Sequence, residues 1–409
     1  MSSSQESSPN KPPPRGTKAL ISIVEFLFKN LSYGVVNVQW PDGRTETYQG
    51  KESLHLKGDI LIHDWSLFKQ IVSGGANGFA DGYLANRWST PDLSALLEVL
   101  SLNLDEMNNH IGKNKFIKLI SRLSHLLRPN SRAGSKKNIY EHYDLGNSFY
   151  EKWLDPSMTY SSAKFKTKKN SLEAAQFEKY KLLADSIDLK KEHHVLEIGC
   201  GWGGFAEYAA THIGCRVTGL TISQAQYDYA QERMRQKGLT DKVEIKLQDY
   251  RDVIGNFDRI ASIEMFEAVG EQYWPTFFNK VSSILKPGGK AGLQIITIDN
   301  DKFKTYRKNV DFIQKYIFPG GMLPSKEILK SEFDKAQLKL LETVDFRLDY
   351  AETLARWRER FHDQWHDIQP LGFDMRFKRM WEYYLSYCEA GFKRGTIDVS
   401  QFFITKNPS

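Results

Sequence analysis

The stretch VLEIGCGWGG, residues 195–204, sets a carboxylate, Glu197, among apolar residues and directly ahead of four glycines: Gly199, Gly201, Gly203 and Gly204. Glycine leaves the main chain bare, so a ligand can lie against backbone N–H groups there. The apolar lead-in predicts a buried parallel strand and FAEYAATHIG a helix, which puts the turn where a strand end meets a helix N-terminus. Dinucleotide sites and methyl-donor sites both use such a turn. Here the spacing is G-x-G-x-G-G, not G-x-G-x-x-G, and the second strand ends VTGLTIS without the acid that holds an NAD ribose. Glu197 suits a cationic, phosphate-free ligand, and the sulfonium of S-adenosylmethionine (SAM) fits that description. Asp249, in LQDYRDV after the third strand, is placed to accept from an adenine amino group. Glycines that serve only close helix–strand packing are the alternative, but a glycine turn at a sheet's switch point is usually a ligand site.

Other chemistry-bearing residues read as bland. His362 and His366 stand four apart, yet no glutamate neighbours them and no third ligand is evident, so no metal is expected. Cys388 lies within YYLSYCEAGF, whose apolar and aromatic side chains disfavour a thiolate.

The elements that must position these residues alternate from residue 171 onward. Helices are expected over 171–187, 203–211, 223–237 and 273–285, with strands over 194–198, 215–220, 242–247, 258–263 and 290–298 around a KPGG turn. That alternation predicts an α/β, Rossmann-like doubly wound sheet, with TIDVSQFFITK as a last antiparallel strand at its edge. Ahead of it, residues 1–16 read as a polar, Pro-rich tail and 17–104 as a small α+β module. Residues 105–140 form a basic amphipathic linker: positions 107–140 hold eight Lys/Arg and no Asp or Glu. Phe116, Ile120, Leu123 and Leu127 fall on one helical stripe, with Lys118 and Arg122 elsewhere, a pattern that suits an anionic membrane surface or a solvated linker helix. The remainder, 141–409, is one domain on this reading.

The 409 residues carry a net charge of only +6, so the placement of basic residues matters more than their sum, and no nucleic-acid partner is expected. Three cysteines without a CxxC pair point to a reducing, cytoplasmic compartment. The longest apolar run, ALISIVEFLF, is broken by Glu25 and falls short of the ~20 residues that span a bilayer. Peripheral attachment at the inner membrane surface is the expectation, with a homodimer left open.

With these motifs in view, the chain resembles the cyclopropane-fatty-acyl-phospholipid synthases and their SAM-dependent relatives. The resemblance rests on HYDLGNSFYEKWLDPSMTYSSAKF (142–165), VLEIGCGWGGFAEYAA (195–210), LTISQAQYDYAQERM (220–234), MFEAVGEQYW (265–274), YAETLARWRERF (350–361) and MWEYYLSYCEAGFKRGTIDVSQF (380–402). GFADGYLANRW (78–88) is similar to part of the longer bacterial members, whose first domain is sterol-carrier-like, and the family implies a helical lipid-binding subdomain on the methyltransferase fold.

By that resemblance, Tyr160 and Ser161 close over the methionine part of SAM and Gly199 and Gly201 lie beneath it. Leu220, Thr221 and Gln226 take the ribose side, and Tyr250 and Arg251 the adenine edge. The family's bound bicarbonate, the expected base, would be held by the Ser162 main chain, Glu267, Gln294, Ile296 and Tyr350. Ser162 stands where Cys is usual and Gln294 where His is usual; Gln donates a hydrogen bond but carries no proton at neutral pH. Cys388 would line the acyl channel, and FIQKYIFPGGMLPS (312–325) would be a hydrophobic lid. The implied reaction adds a methylene equivalent to the cis double bond of a phospholipid acyl chain, giving a cyclopropane. A methylene- or methyl-branched product is the alternative, then a small-amine N-methyltransferase, for which the N-terminal module has no use, or a non-catalytic lipid-binding protein, against which the intact glycine turn argues.

Overall fold

The computed structural model describes residues 12–14, 16–113 and 145–407. Two compact units emerge, each discontinuous in sequence.

The first unit gathers residues up to 133 with 311–316 and 372–394. Its sheet has the order β2-β1-β3-β4, with β1 at Tyr33–Gln39, β2 at Thr45–Gln49, β3 at Glu52–Ile62 and β4 at Trp88–Ser89. β1 alternates half-buried and buried residues, sinking Val36 and Val38 completely, as expected of a strand with one wet face. Helix Leu93–Lys113 runs straight through the expected boundary at residue 104. The late helix Met375–Arg394 packs with this unit: the Tyr83 hydroxyl donates to Glu382 at 3.0 Å, and Arg379 donates to Asn86 at 2.7 Å. The basic stripe from Phe116 to Leu127 lies outside the described residues.

The second unit is built on a seven-stranded sheet of order β10-β11-β9-β8-β5-β6-β7. The strands are β5 His194–Ile198, β6 Arg216–Thr221, β7 Val243–Leu247, β8 Phe257–Ile263, β9 Leu285–Ile298, β10 Leu338–Asp345 and β11 Ile397–Lys406. β5 pairs in parallel with β6 on one side and β8 on the other, so the chain order reverses at β5. In such sheets ligands bind in the crevice beyond the carboxyl end of that strand, which here is the glycine turn. Val195, Leu196, Glu197 and Ile198 are all buried, as a two-sided sheet requires.

The faces are covered as the sequence period dictates. Helix Trp274–Ile284 sinks Trp274, Phe277, Phe278, Val281 and Ile284, a stripe at helical spacing, into one core. Each such side chain contributes roughly 1.5–3 kcal/mol on burial. Helix Leu172–Ser186, capped by the Ser171 hydroxyl accepting from the Ala174 N–H, buries Leu183 and Ala184 in the core on the opposite face. Two expectations are corrected. β11 is not an edge strand: it lies antiparallel between β9 and β10, and β10 takes the edge. β9 begins at Leu285, so the KPGG segment lies within the strand range instead of preceding it.

Candidate active site

Two glycines of the turn show why side chains are excluded. Gly199 has φ +81°, and a Cβ there would lie 2.6 Å from the Met265 side chain. Gly201 has φ +52°, and its Cβ would meet no atom within 4 Å, so bare backbone faces open space. Gly203 takes the position before helix Gly204–Tyr208. Glu197 is 2 % exposed, and its Oε2 finds no hydrogen-bond partner. Burial pushes its carboxyl up to about 8, opposed by Lys179, the Ala206 N–H and Arg233. A buried, unsatisfied acid beside an open backbone cradle fits a cationic group, since a bound cation would return the carboxyl to its ionised form.

Around this cradle stand the residues expected at the methionine end. Tyr160 packs its ring against Tyr150, Trp153 and Trp357 at 5.3, 5.6 and 5.3 Å between centroids. Ser161 accepts at Oγ from the Lys179 ammonium (2.7 Å), and its carbonyl accepts from Gln176 (2.9 Å). On the ribose side Leu220 is buried, and the Thr221 hydroxyl donates to Gln226 at 2.9 Å. At the expected adenine edge both oxygens of Asp249 accept from the Arg251 guanidinium at 2.9 and 2.7 Å, and Oδ1 also from the Arg251 N–H at 2.9 Å, which leaves Oδ2 able to accept a further hydrogen bond. Tyr250 leans edge-on against Phe277.

The second cluster holds the larger surprise. The Ser162 N–H and the Gln294 amide both donate to Oε1 of Glu264, at 2.8 and 2.7 Å. The Tyr350 hydroxyl donates to its Oε2 at 2.6 Å. These are three of the groups expected to hold bicarbonate, and they close on a carboxylate of the chain itself. The residues therefore do not fit a bound bicarbonate, and that expectation is corrected. Gln294 keeps its orientation because its own Oε1 accepts from Gln401 at 3.0 Å, a partner supplied by the inserted strand β11.

Glu267 stands apart from this set. Its Oε1 accepts from the Ile296 N–H at 2.6 Å, and its Oε2 has no partner. Burial, then the neighbouring Glu264 charge, pushes its carboxyl up to about 8, with the Ile296 N–H pulling the other way. Glu264 is also raised by burial, but the Tyr350 hydroxyl, the Ser162 N–H, Lys179 and Gln294 all favour its ionised form. Lys179, fully buried, is pulled down to about 7 by burial against the attraction of Glu264, Asp155 and Glu197. Two carboxyl groups in one site are thus set in different surroundings: Glu264 gathers three donors from other residues, Glu267 only the Ile296 N–H.

Glu264 and Lys179 are the two residues that sequence reasoning passed over. A signal existed for Lys179: with Gln176 it interrupts the apolar stripe of Leu172, Ala175 and Leu183. Of the expected lid, residues 317–325 lie in this unit, where the Met322 N–H donates to the Glu267 carbonyl at 3.0 Å; residues 311–316 group with the first unit. Cys388 sits on helix Met375–Arg394 of that first unit, its thiol pushed up by burial and by Asp311. Among the described residues no group of His, Cys, Asp or Glu has the arrangement of a metal site.

A family model described as mycolic acid cyclopropane synthetase matches residues 130–402. The chain belongs to that family. Within it, the chain is 38 % identical over 360 residues to the tuberculostearic acid methyltransferase UfaA1 of Mycobacterium tuberculosis (strain ATCC 25618 / H37Rv), covering 83 % of this chain and 81 % of that one. It is equally 38 % identical, over 355 residues, to the cyclopropane-fatty-acyl-phospholipid synthase of Escherichia coli (strain K12), covering 85 % and 88 %. The solved mycolic acid cyclopropane synthase CmaA1, complexed with SAH and CTAB, superposes with a TM-score of 0.62 at 28 % identity, covering 68 % of this chain and 99 % of that one. This cyclopropane synthetase family member is thus a SAM-dependent methyltransferase in fold and class.

Proposed function

We propose that the enzyme adds a methylene equivalent from SAM to the cis double bond of an unsaturated phospholipid acyl chain, forming a cyclopropane ring. SAM, when bound, supplies an electrophilic methyl group on a positively charged sulfur. The observation that carries the reading is the buried Glu197 carboxyl, with its Oε2 unpartnered, two residues ahead of the glycine turn whose backbone is open at Gly201. Glu197 offers charge to the cation, and the rings of Tyr160, Trp153 and Trp357 exclude water from the methionine end. An alkene is a weak nucleophile, so fixed alignment and a dry site must supply most of the acceleration. Glu267 has one oxygen tied to the Ile296 N–H and the other unpartnered, and burial favours its neutral form.

A second reading, a methylene- or methyl-branched product, is favoured by one observation: Gln294 cannot carry a proton, and the chain's 38 % identity to a tuberculostearic acid methyltransferase is in keeping with it. Mass spectrometry of host lipids after expression tests both readings. A gain of one CH2 equivalent on unsaturated chains is expected, and fragmentation distinguishes a ring from an exocyclic methylene; unaltered host lipids would overturn both.

The lipid would be reached from an anionic membrane surface through the basic 107–140 segment. No helix among the described residues is long and apolar enough to cross a membrane. Replacing Lys118 and Arg122 by Glu should weaken binding to vesicles of dioleoyl phosphatidylglycerol and leave SAM affinity alone. Unchanged vesicle binding would refute the surface role.

A further inference from the structure

We propose that Glu264 is a built-in proton acceptor, which makes turnover independent of any bound external anion; this rests on the alkene-methylating reading above. Three independent features converge on it. First, its carboxylate gathers a main-chain N–H, an amide and a phenol as donors, all between 2.6 and 2.8 Å. Three of its four lone-pair sites are filled, which leaves one on Oε2 to take a proton. Secondly, the backbone at Glu264 is left-handed, with φ +50°. That conformation is unfavourable for a non-glycine residue, and such strain persists where the surroundings over-determine it, often at functional sites. Here the Glu264 N–H donates to the Gln294 carbonyl at 2.8 Å, clamping the residue at both ends against the same neighbour. Thirdly, the fully buried Lys179 attracts the Glu264 charge and so favours its ionised form against the upward push of burial.

The chemistry requires such a group whichever product forms. The alkene π pair makes the new carbon–carbon bond to the methyl carbon while the carbon–sulfur bond breaks and its electrons stay on sulfur. One acyl carbon is left positive. To close a ring, a C–H bond of the new methyl group breaks, its electron pair forms the second carbon–carbon bond, and its proton passes to Glu264. A methylene branch loses a proton from the same methyl group after a hydride shift. The neutral Glu264 then gives its proton to water as product leaves. Glu267 is unsuited to this step, being held neutral by burial and by the Glu264 charge.

The test uses the full chain, SAM and dioleoyl phosphatidylglycerol vesicles in buffer stripped of carbon dioxide, with and without added bicarbonate or formate. SAM affinity by calorimetry checks that each variant is folded. Wild type should turn over at the same rate with or without the added anion. Glu264→Gln, which fills the same space without a basic oxygen, should lose about 10²–10⁴-fold in turnover, bind SAM normally, and gain nothing from the anion. Glu264→Gly suits the left-handed backbone and leaves the three donors facing a vacated space, so bicarbonate or formate should restore its rate by about tenfold or more. A wild-type rate that falls on stripping, or a Glu264→Gln variant that keeps its rate, overturns the assignment while leaving the alkene reading intact. A wild type that binds SAM and alters no unsaturated lipid overturns the alkene reading and the proton acceptor with it.

Discussion

SAM binding should release a proton and strengthen with pH. Glu197 sits 2 % exposed with one oxygen unpaired, and its carboxyl is pushed up to about 8 by burial. At pH 7 about nine-tenths of the free enzyme would carry that proton, from the definition of a pKa. A sulfonium or ammonium lodged beside it favours the carboxylate, so binding must first expel the proton. The sign follows: affinity rises about tenfold between pH 6 and 7, about fivefold more between 7 and 8, and then levels off. Titration calorimetry in buffers of different ionisation enthalpy would count the protons; close to one per SAM is expected at pH 7. Glu197→Gln removes the titrating group, so affinity at pH 8 should fall by about fiftyfold, to the level of wild type at pH 6. Equal affinity at pH 6 and 8 with no proton released, or an unchanged slope in Glu197→Gln, would refute the reasoning.

Other substitutions separate the roles within the site. Glu267→Gln preserves a neutral side chain and an acceptor for the Ile296 N–H, so SAM affinity and turnover should both stay within about threefold; a loss of turnover of about a hundredfold or more would show that the Glu267 carboxyl itself takes the proton. Tyr350→Phe deletes the 2.6 Å hydrogen bond to Glu264, worth about 1.5–3 kcal/mol to a charged acceptor, so kcat should fall roughly ten- to hundredfold at constant SAM affinity; an unaffected kcat would mean the phenol is a bystander. Trp357→Ala empties a fully buried position beneath Trp153, Tyr160 and Tyr350 and should cost about 3–5 kcal/mol in denaturant unfolding; a loss under about 1 kcal/mol would mean the ring cluster repacks.

Much of the sheet was legible because β5, β6 and β8 are buried on both faces and therefore read as near-continuous apolar runs. The glycine turn was legible for the opposite reason, since bare backbone leaves its own mark in sequence. Glu264 was not. It lies one residue beyond β8, in a loop where an acid reads as solvated, and neither its left-handed φ nor its donors are neighbours in sequence: Ser162, Gln294 and Tyr350 come from three distant segments. Lys179 is hidden in another way. On an amphipathic helix a lysine is expected on the wet face, and only three-dimensional burial shows it beside Ser161. β10 was missed because LKLLETVD is an edge strand with several exposed positions and gives no sustained alternation. The placing of β11 between β9 and β10 is set by pairing partners, which no local pattern encodes.

The interior position of β11 has a consequence for how the polypeptide matures. Residues 397–406 separate β9 from β10, so the main sheet has a gap in it until that late segment has been made. The first unit waits nearly as long, because it lacks helix Met375–Arg394 until that segment leaves the ribosome. Neither unit can be finished until these segments emerge, and ribosomes stalled before residue 375 should hold nascent chains that proteases cut readily. Truncation ahead of residue 397 would therefore act on assembly as a whole.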